Sequence, residues 1–207
     1  MPKIKRITFF RAVSPLSQTI ADSTHQIPEI AFIVTRLELD NGITGDGHLL
    51  AFHYSREAIL GALRDAAPMA LGMEVSDTGR FLAKHEKESE YFGNVGLHRW
   101  AAGSINTAMW DAWAKTLCAP IWKLFGTCHD RVPLYGSGGW LSYSMDELLD
   151  EVRRYVKRGF RSVKVKVGSP EIQRDIERLT KVREAVGPHI RIMMDANQGC
   201  ILPAALE

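Results

Sequence analysis

Apolar and polar positions divide the chain into two stretches with different rhythms. Residues 3–12 and 30–39 are rich in β-branched and aromatic side chains. The second run ends in Asp40-Asn41-Gly42-Ile43-Thr44-Gly45-Asp46-Gly47, whose Asn-Gly step is a hairpin signal, so an antiparallel meander is expected. Between the two runs, Ser14 to Pro28 is polar with little periodicity of either kind and reads as a long loop. From Ser55 to about Cys118 the period becomes helical. Ser55-Arg56-Glu57 opens one helix and Ser76-Asp77-Thr78 caps the next. The longest helix is expected from about His98 to Leu117. It mixes small residues with large aromatics, which places it in the centre of its domain rather than on the surface. Strands first and helices after give an α+β domain over residues 1–130.

After His129-Asp130-Arg131 strands and helices alternate. Val132-Pro133-Leu134-Tyr135 reads as a short strand, Met145 to Arg158 as a helix and Ser162 to Val167 as a strand. A helix from about Pro170 to Val186 and a strand from Ile190 to Asp195 follow, and Leu202 to Glu207 resembles the first turn of a third helix. Gly159 and Gly187 stand where C-cap glycines belong. A βαβαβ order predicts a parallel sheet with right-handed crossovers, in a second domain over residues 131–207.

Composition narrows the class without naming it. The 207 residues are 45% hydrophobic, enough for one large core or two modest ones. Lys and Arg number 26 against 24 Asp and Glu and are spread along the chain, unlike the basic footprint of a nucleic-acid binder. The basic start, Met1 to Arg6, runs into Ile7-Thr8-Phe9-Phe10-Arg11, which lacks the apolar core and cleavage site of a signal peptide. No stretch approaches the roughly 20 apolar residues of a membrane span. Cys118, Cys128 and Cys200 have neither CxxC spacing nor a nearby histidine pair, which suits reduced thiols in a cytoplasmic protein. The expected partners are a small molecule and other copies of the chain, with no nucleic acid and no membrane.

The chemistry concentrates in Val163-Lys164-Val165-Lys166-Val167-Gly168 and in Met194-Asp195-Ala196-Asn197. Residues two apart in a strand share a face and lie about 6.6 Å apart, so Lys164 and Lys166 point one way and the valines the other. An isolated KVKV string reads as an edge strand with its lysines in water. Here helices flank it in sequence, so it belongs to a parallel sheet covered on both faces, and the valines suit the helix side. Two inward ammonium groups are costly unless something anionic lies beside them, which favours a functional role over a stabilising one. Lys166, nearer the C-terminal end of the strand, is the candidate base, and Lys164 its electrostatic neighbour. Asp195 follows Lys166 by 29 positions, about one βαβ unit, which places the two groups on adjacent strands at the same end of the sheet. The acid can pair with a lysine, cap a turn or bind a metal, and the Asn197 amide can donate to a substrate hydroxyl.

Taken together, Lys164-Val-Lys166, Asp195-Ala-Asn197-Gln198-Gly199, the Ala108-Met-Trp110-Asp111 helix and Pro120-Ile-Trp-Lys-Leu-Phe-Gly126 resemble the mandelate racemase and muconate lactonizing group of the enolase superfamily. The resemblance implies an α+β capping domain followed by a modified (β/α) TIM barrel, with Mg2+ held by carboxylates at the ends of successive strands. It also implies abstraction of the proton α to a carboxylate; that such sites pair a Lys or His base with Mg2+ and a stabilised enediolate is a property of the superfamily. Lys166 is then the proton acceptor, Lys164 a contact for the substrate carboxylate and Asp195 the first metal ligand. Asn197 and, from a Ser14–Pro28 loop closing over the site, His25 are substrate contacts. Dehydration of a sugar acid or racemisation of a hydroxy acid is the implied reaction, catalysed by a lyase or an isomerase.

There are departures. Gly45-Asp46-Gly47-His48 replaces the Gly-x-Gly-Glu of many relatives, and Cys200 stands where a tryptophan commonly follows the glycine. A (β/α)8 barrel needs on the order of 250 residues, and fewer than 80 follow Asp130, enough for three strands. The barrel is therefore expected to be incomplete; the resemblance implies that the other metal carboxylates and a histidine-aspartate pair lie on later strands, and no turnover is expected from these residues alone. Two alternatives stay open: a non-catalytic capping or interaction module, and a barrel enzyme using Lys166 as a Schiff-base nucleophile.

Overall fold

Strands β1 (Ile4–Ala21), β2 (Gln26–Leu39) and β3 (Thr44–Ala51) form one sheet in that order. The computed structural model describes residues 1–51, 55–91 and 93–206, with only the backbone of Ala204 and Leu206; Glu207, expected in the first turn of a third helix of the alternating region, lies outside the described residues. Along β2, Ala31, Ile33, Thr35, Leu37 and Leu39 turn inward at period two, the alternation of a sheet with one face on a core. Arg6 pairs with Glu38, and Thr8 Oγ1 donates to the Arg36 carbonyl, so β1 runs antiparallel beside β2. The expected loop from Ser14 to Pro28 is instead the far half of this hairpin, turning at Asp22–His25, where Asp22 N donates to the His25 carbonyl. Its pattern hid it, because residues 10–15 and most of 16–19 expose both faces and no alternation is imposed.

Helices α1 (Arg56–Ala70), α2 (Thr78–Glu88), α3 (Gly96–Thr116) and the single turn α4 (Ile121–Leu124) follow the sheet. Gly45 and Gly47 explain how β3 meets α3: a Cβ at either would strike the carbonyl oxygen of Ala108 or Ser104. Only bare backbone fits there, and the facing residues Ser104, Ala108 and Ala112 are themselves small. The Ala108-Met-Trp110-Asp111 motif serves the same junction, since Asp111 Oδ2 accepts from Asp46 N at 2.9 Å and from Lys115 Nζ at 2.5 Å. The helix is buried along one stripe, from Ala101 to Ala112, while Trp100, Gly103 and Thr107 are exposed. It packs against β3, α1 and α2, the central place expected from its composition, with one side left exposed.

Strands β4 (Gly136–Ser137), β5 (Ser162–Lys166) and β6 (Arg191–Asp195) form a parallel sheet, with α5 (Met145–Lys157) and α6 (Ile172–Val186) as crossovers and α7 (Leu202–Leu206) after it. Residues 132–135 are not a strand. Pro133 lacks an N–H, and Val132 and Leu134 are exposed; pairing begins only at Gly136, whose missing side chain makes room for the Tyr155 ring. A capping box opens α5: Glu147 N donates to Ser144 Oγ, and Ser144 N to Glu147 Oε2. Leu148 and Val152 of α5, Val163 and Val165 of β5, and Val182 and Val186 of α6 make the core between sheet and helices. Each such side chain contributes roughly 1.5–3 kcal/mol by leaving water.

The chain divides into two compact units, Met1–Pro15 with Glu29–Asp130, and Leu16–Pro28 with Arg131–Glu207. The hairpin tip is therefore part of the unit that holds the parallel sheet.

Candidate active site

Period two and the β5–β6 register set the geometry of the parallel sheet's ends. Val163 and Val165 are fully buried against the helices, which turns Lys164 and Lys166 to the opposite face. Lys166 stands level with Asp195 in the register, and the two ammonium groups converge on one oxygen: Lys164 Nζ and Lys166 Nζ each donate to Asp195 Oδ2 at 2.8 Å. Asp195 is the anion that a pair of inward lysines needs. The Lys164 and Lys166 bonds, joined by the Asn197 N–H to Oδ1 at 2.9 Å, hold the Asp195 carboxyl far below the ordinary carboxylate range against the opposing effect of burial. Lys166 is the more enclosed lysine, its side chain 10% exposed against 21% for Lys164. The Trp140 ring centroid lies 5.4 Å from Lys166 Nζ and that of Tyr135 6.0 Å from Lys164 Nζ, so each ammonium group also faces an aromatic ring.

Asn197 joins the cluster from a left-handed backbone conformation, φ 50°, which Asn tolerates better than most residues. Its Oδ1 accepts from Lys166 Nζ and its Nδ2 donates to Asp22 Oδ2 at 2.8 Å. Asp22 Oδ1 meanwhile accepts from Thr24 N, His25 N and Thr24 Oγ1 at 2.8, 2.8 and 3.0 Å. Burial raises the Asp22 carboxyl, but those bonds and the nearby Lys166 outweigh it, and the group lies below its ordinary value. His25 sits in the turn with ring Nδ1 2.8 Å from Thr24 Oγ1. The side chain of the turn that reaches Asn197 is that of Asp22.

Four of the five residues singled out from the sequence therefore come together: Lys164, Lys166, Asp195 and Asn197. Asp22, Trp140 and Tyr135 were missed. Asp22-Ser23-Thr24 carries an Asx-turn signature that could have marked the hairpin tip; nothing local announces the two rings. Two buried charges also support the site from behind. Arg178 donates to the carbonyls of Gly139, Trp140 and Tyr143 at 3.1, 2.9 and 3.3 Å, and Glu151 Oε2 accepts from Gly139 N at 2.6 Å, which fixes the loop carrying Trp140. Among the described residues no three His, Cys, Asp or Glu side chains gather as a metal site, and both Asp195 oxygens are engaged within the chain. One carboxylate does not make a complete metal site.

Residues 6–126 match the family model of the mandelate racemase/muconate lactonizing enzyme N-terminal domain, and residues 147–207 that of the enolase C-terminal domain-like fold. The chain belongs to the mandelate racemase/muconate lactonizing enzyme group of the enolase superfamily. Arabinonate dehydratase of Saccharolobus solfataricus is 33% identical to it, over 84% of this chain and 48% of that protein. The 3,6-anhydro-alpha-L-galactonate cycloisomerase of Streptomyces coelicolor is 28% identical, over 93% of this chain and 54% of that one. The structure of L-talarate/galactarate dehydratase from Salmonella typhimurium LT2, liganded with Mg and L-lyxarohydroxamate, superposes with a TM-score of 0.91 at 29% identity, covering 99% of this chain and 54% of that one. The chain thus spans about half the length of the known relatives it matches. In superfamily terms the first sheet and its helices are the capping fold, and β4 to β6 are the first strands of the barrel. No helix of the described residues is long and apolar enough to cross a membrane.

Proposed function

We propose that these residues form the base side of a site that removes the proton α to the carboxylate of a small hydroxy or sugar acid, in a lyase or isomerase reaction. The observation that carries this reading is the convergence of Lys164 and Lys166 on Asp195 at the C-terminal ends of parallel strands, where barrels of this kind place their chemistry. Lys166, enclosed and held by Asp195 and Asn197, is the proton acceptor. Lys164, beside it on the same face, meets the substrate carboxylate, and Asn197 and His25 meet its hydroxyl groups. Dehydration of a sugar acid is favoured over racemisation by the likeness to two dehydratases, while the likeness to a cycloisomerase keeps isomerisation as the second reading.

Asp195 is proposed as one ligand of a Mg2+ ion, the ion named for the Salmonella structure. When bound, such an ion would supply positive charge for a developing enediolate. The residues described hold one carboxylate for it, and Mg2+ ordinarily retains several waters, so the 207-residue chain alone is expected to bind it weakly and not to turn over. Tight stoichiometric binding by calorimetry would contradict that. Domains of residues 1–130 and 131–207, a cytoplasmic location and self-association complete the proposal.

The base assignment is tested by following incorporation of solvent deuterium at the α-carbon of a hydroxy acid by the whole protein carrying this segment. Lys166→Ala should lose exchange by about a hundredfold or more. Unchanged incorporation would rule Lys166 out, and borohydride trapping of a carbonyl substrate on Lys166 would redirect the reading to Schiff-base chemistry.

A further inference from the structure

The hairpin tip is seated on the strand ends by a fitted set of contacts. The Ser23 hydroxyl donates to the Ala196 carbonyl, and Gly168 and Gly199 leave room for it: a Cβ at either would lie 2.8 or 2.6 Å from Ser23 Cβ. Ala21 is held on both sides, its N–H donating to Ser142 Oγ at 3.0 Å and its carbonyl accepting from Leu141 N at 2.8 Å. This leaves the Asp22 side chain 6% exposed, facing Asn197.

Asn197 lies between two groups of opposite hydrogen-bonding character. A carboxylate only accepts and an ammonium group only donates. The amide satisfies both in one orientation, Nδ2 toward Asp22 and Oδ1 toward Lys166. Reversed, it would set oxygen against oxygen on one side and N–H against N–H on the other. We propose that Asp22 is a positioning residue, which fixes the Asn197 amide so that its carbonyl oxygen faces Lys166. Seating the hairpin and orienting the amide are then one event. The inference rests on reading Lys166 as the proton acceptor, and it gives the hairpin a role in the site through Asp22, independent of His25.

Asp22→Asn is nearly isosteric and keeps an oxygen for the turn, yet places an N–H opposite Asn197 Nδ2. To regain a partner at residue 22 the amide turns over, which sets its Nδ2 against the Lys166 ammonium group and takes an acceptor from Lys166. Adding Asn197→Asp gives the residue-22 N–H an acceptor on residue 197 and keeps an acceptor facing Lys166, with Asp tolerated at the left-handed position. The readout is the rate at which isotope-coded acetic anhydride labels Lys166, relative to exposed Lys157, in the 207-residue chain. Labelling should rise about fivefold in Asp22→Asn, as for one net hydrogen bond lost, and return to within about twofold of the parent in Asp22→Asn/Asn197→Asp.

Labelling unchanged in the single variant, or equally fast in both variants, would overturn the proposal. If the single variant does not fold, the double variant decides: folded with Lys166 protected it supports the proposal, while unfolded or unprotected it overturns it. Labelling reads the hydrogen bond whether or not Lys166 is a base, so its outcome is separate from that of the deuterium experiment.

Discussion

Among the described residues, the first unit buries Thr35, Thr78, His85, Ser89 and Ser104 as its polar side chains, whereas the second buries Glu151, Lys166, Asp175 and Arg178. The first set is mainly hydroxyl groups that close onto nearby partners, as Thr35 Oγ1 meets Ser104 Oγ at 2.8 Å between β2 and α3. The second set is charged throughout, and much of it is directed at the ends of the parallel strands. Buried charge gains little stability over well-packed apolar residues of similar size. The first unit is held by apolar packing with few buried charges, whereas the second uses buried charge to fix the loops and side chains at the ends of its parallel strands.

The contrast can be broken first where packing is tightest. Gly47→Val drives a side chain into the Ser104 carbonyl and should cost more than about 3 kcal/mol, because backbone rather than a flexible side chain must yield. Hydrogen exchange read by mass spectrometry should show protection lost in β3 and α3 and retained in β5 and β6. A smaller effect is expected on the other side. Arg178→Met leaves the carbonyls of Gly139, Trp140 and Tyr143 without their donor and should cost about 2 kcal/mol, with faster exchange confined to residues 138–143 and their neighbours.

The smallest effect belongs to a surface pair of the first unit. Arg36 donates to both Asp46 oxygens, at 2.7 and 2.9 Å, and these bonds lower the Asp46 carboxyl against partial burial. A carboxyl lowered on folding stabilises the protein above its unfolded value near pH ~4, and that contribution fades as pH falls through the folded value. Asp46→Asn should lower stability by less than about 1 kcal/mol at neutral pH, since the pair is well solvated, and by progressively less in acid denaturation series.

Much of this was legible in the residues, for reasons that differ by element. Lys164, Lys166 and Asp195 could be placed together because a period of two and one βαβ length determine face and level. The outer part of the β1–β2 hairpin could not, because residues 10–15 and most of 16–19 are exposed on both faces and carry no alternation. Trp140 and Tyr135 meet their lysines only through long-range folding, and Glu151 and Arg178 lie on helices where charge ordinarily signals a solvated face. Gly45-Asp46-Gly47, a departure from many relatives at its next residue, has a packing role in its two glycines that only the α3 contact reveals.

The claim that Lys166, the buried charge at the strand ends, serves chemistry rather than stability is tested most directly by Lys166→Met, measured twice. Lys164 still balances Asp195 in this variant, so urea denaturation of the 207-residue chain should find stability unchanged or raised, within about 1 kcal/mol. Deuterium incorporation at the α-carbon of a hydroxy acid by the whole protein should fall at least about a hundredfold. A variant that loses several kcal/mol of stability while exchange proceeds at the parent rate would contradict the account.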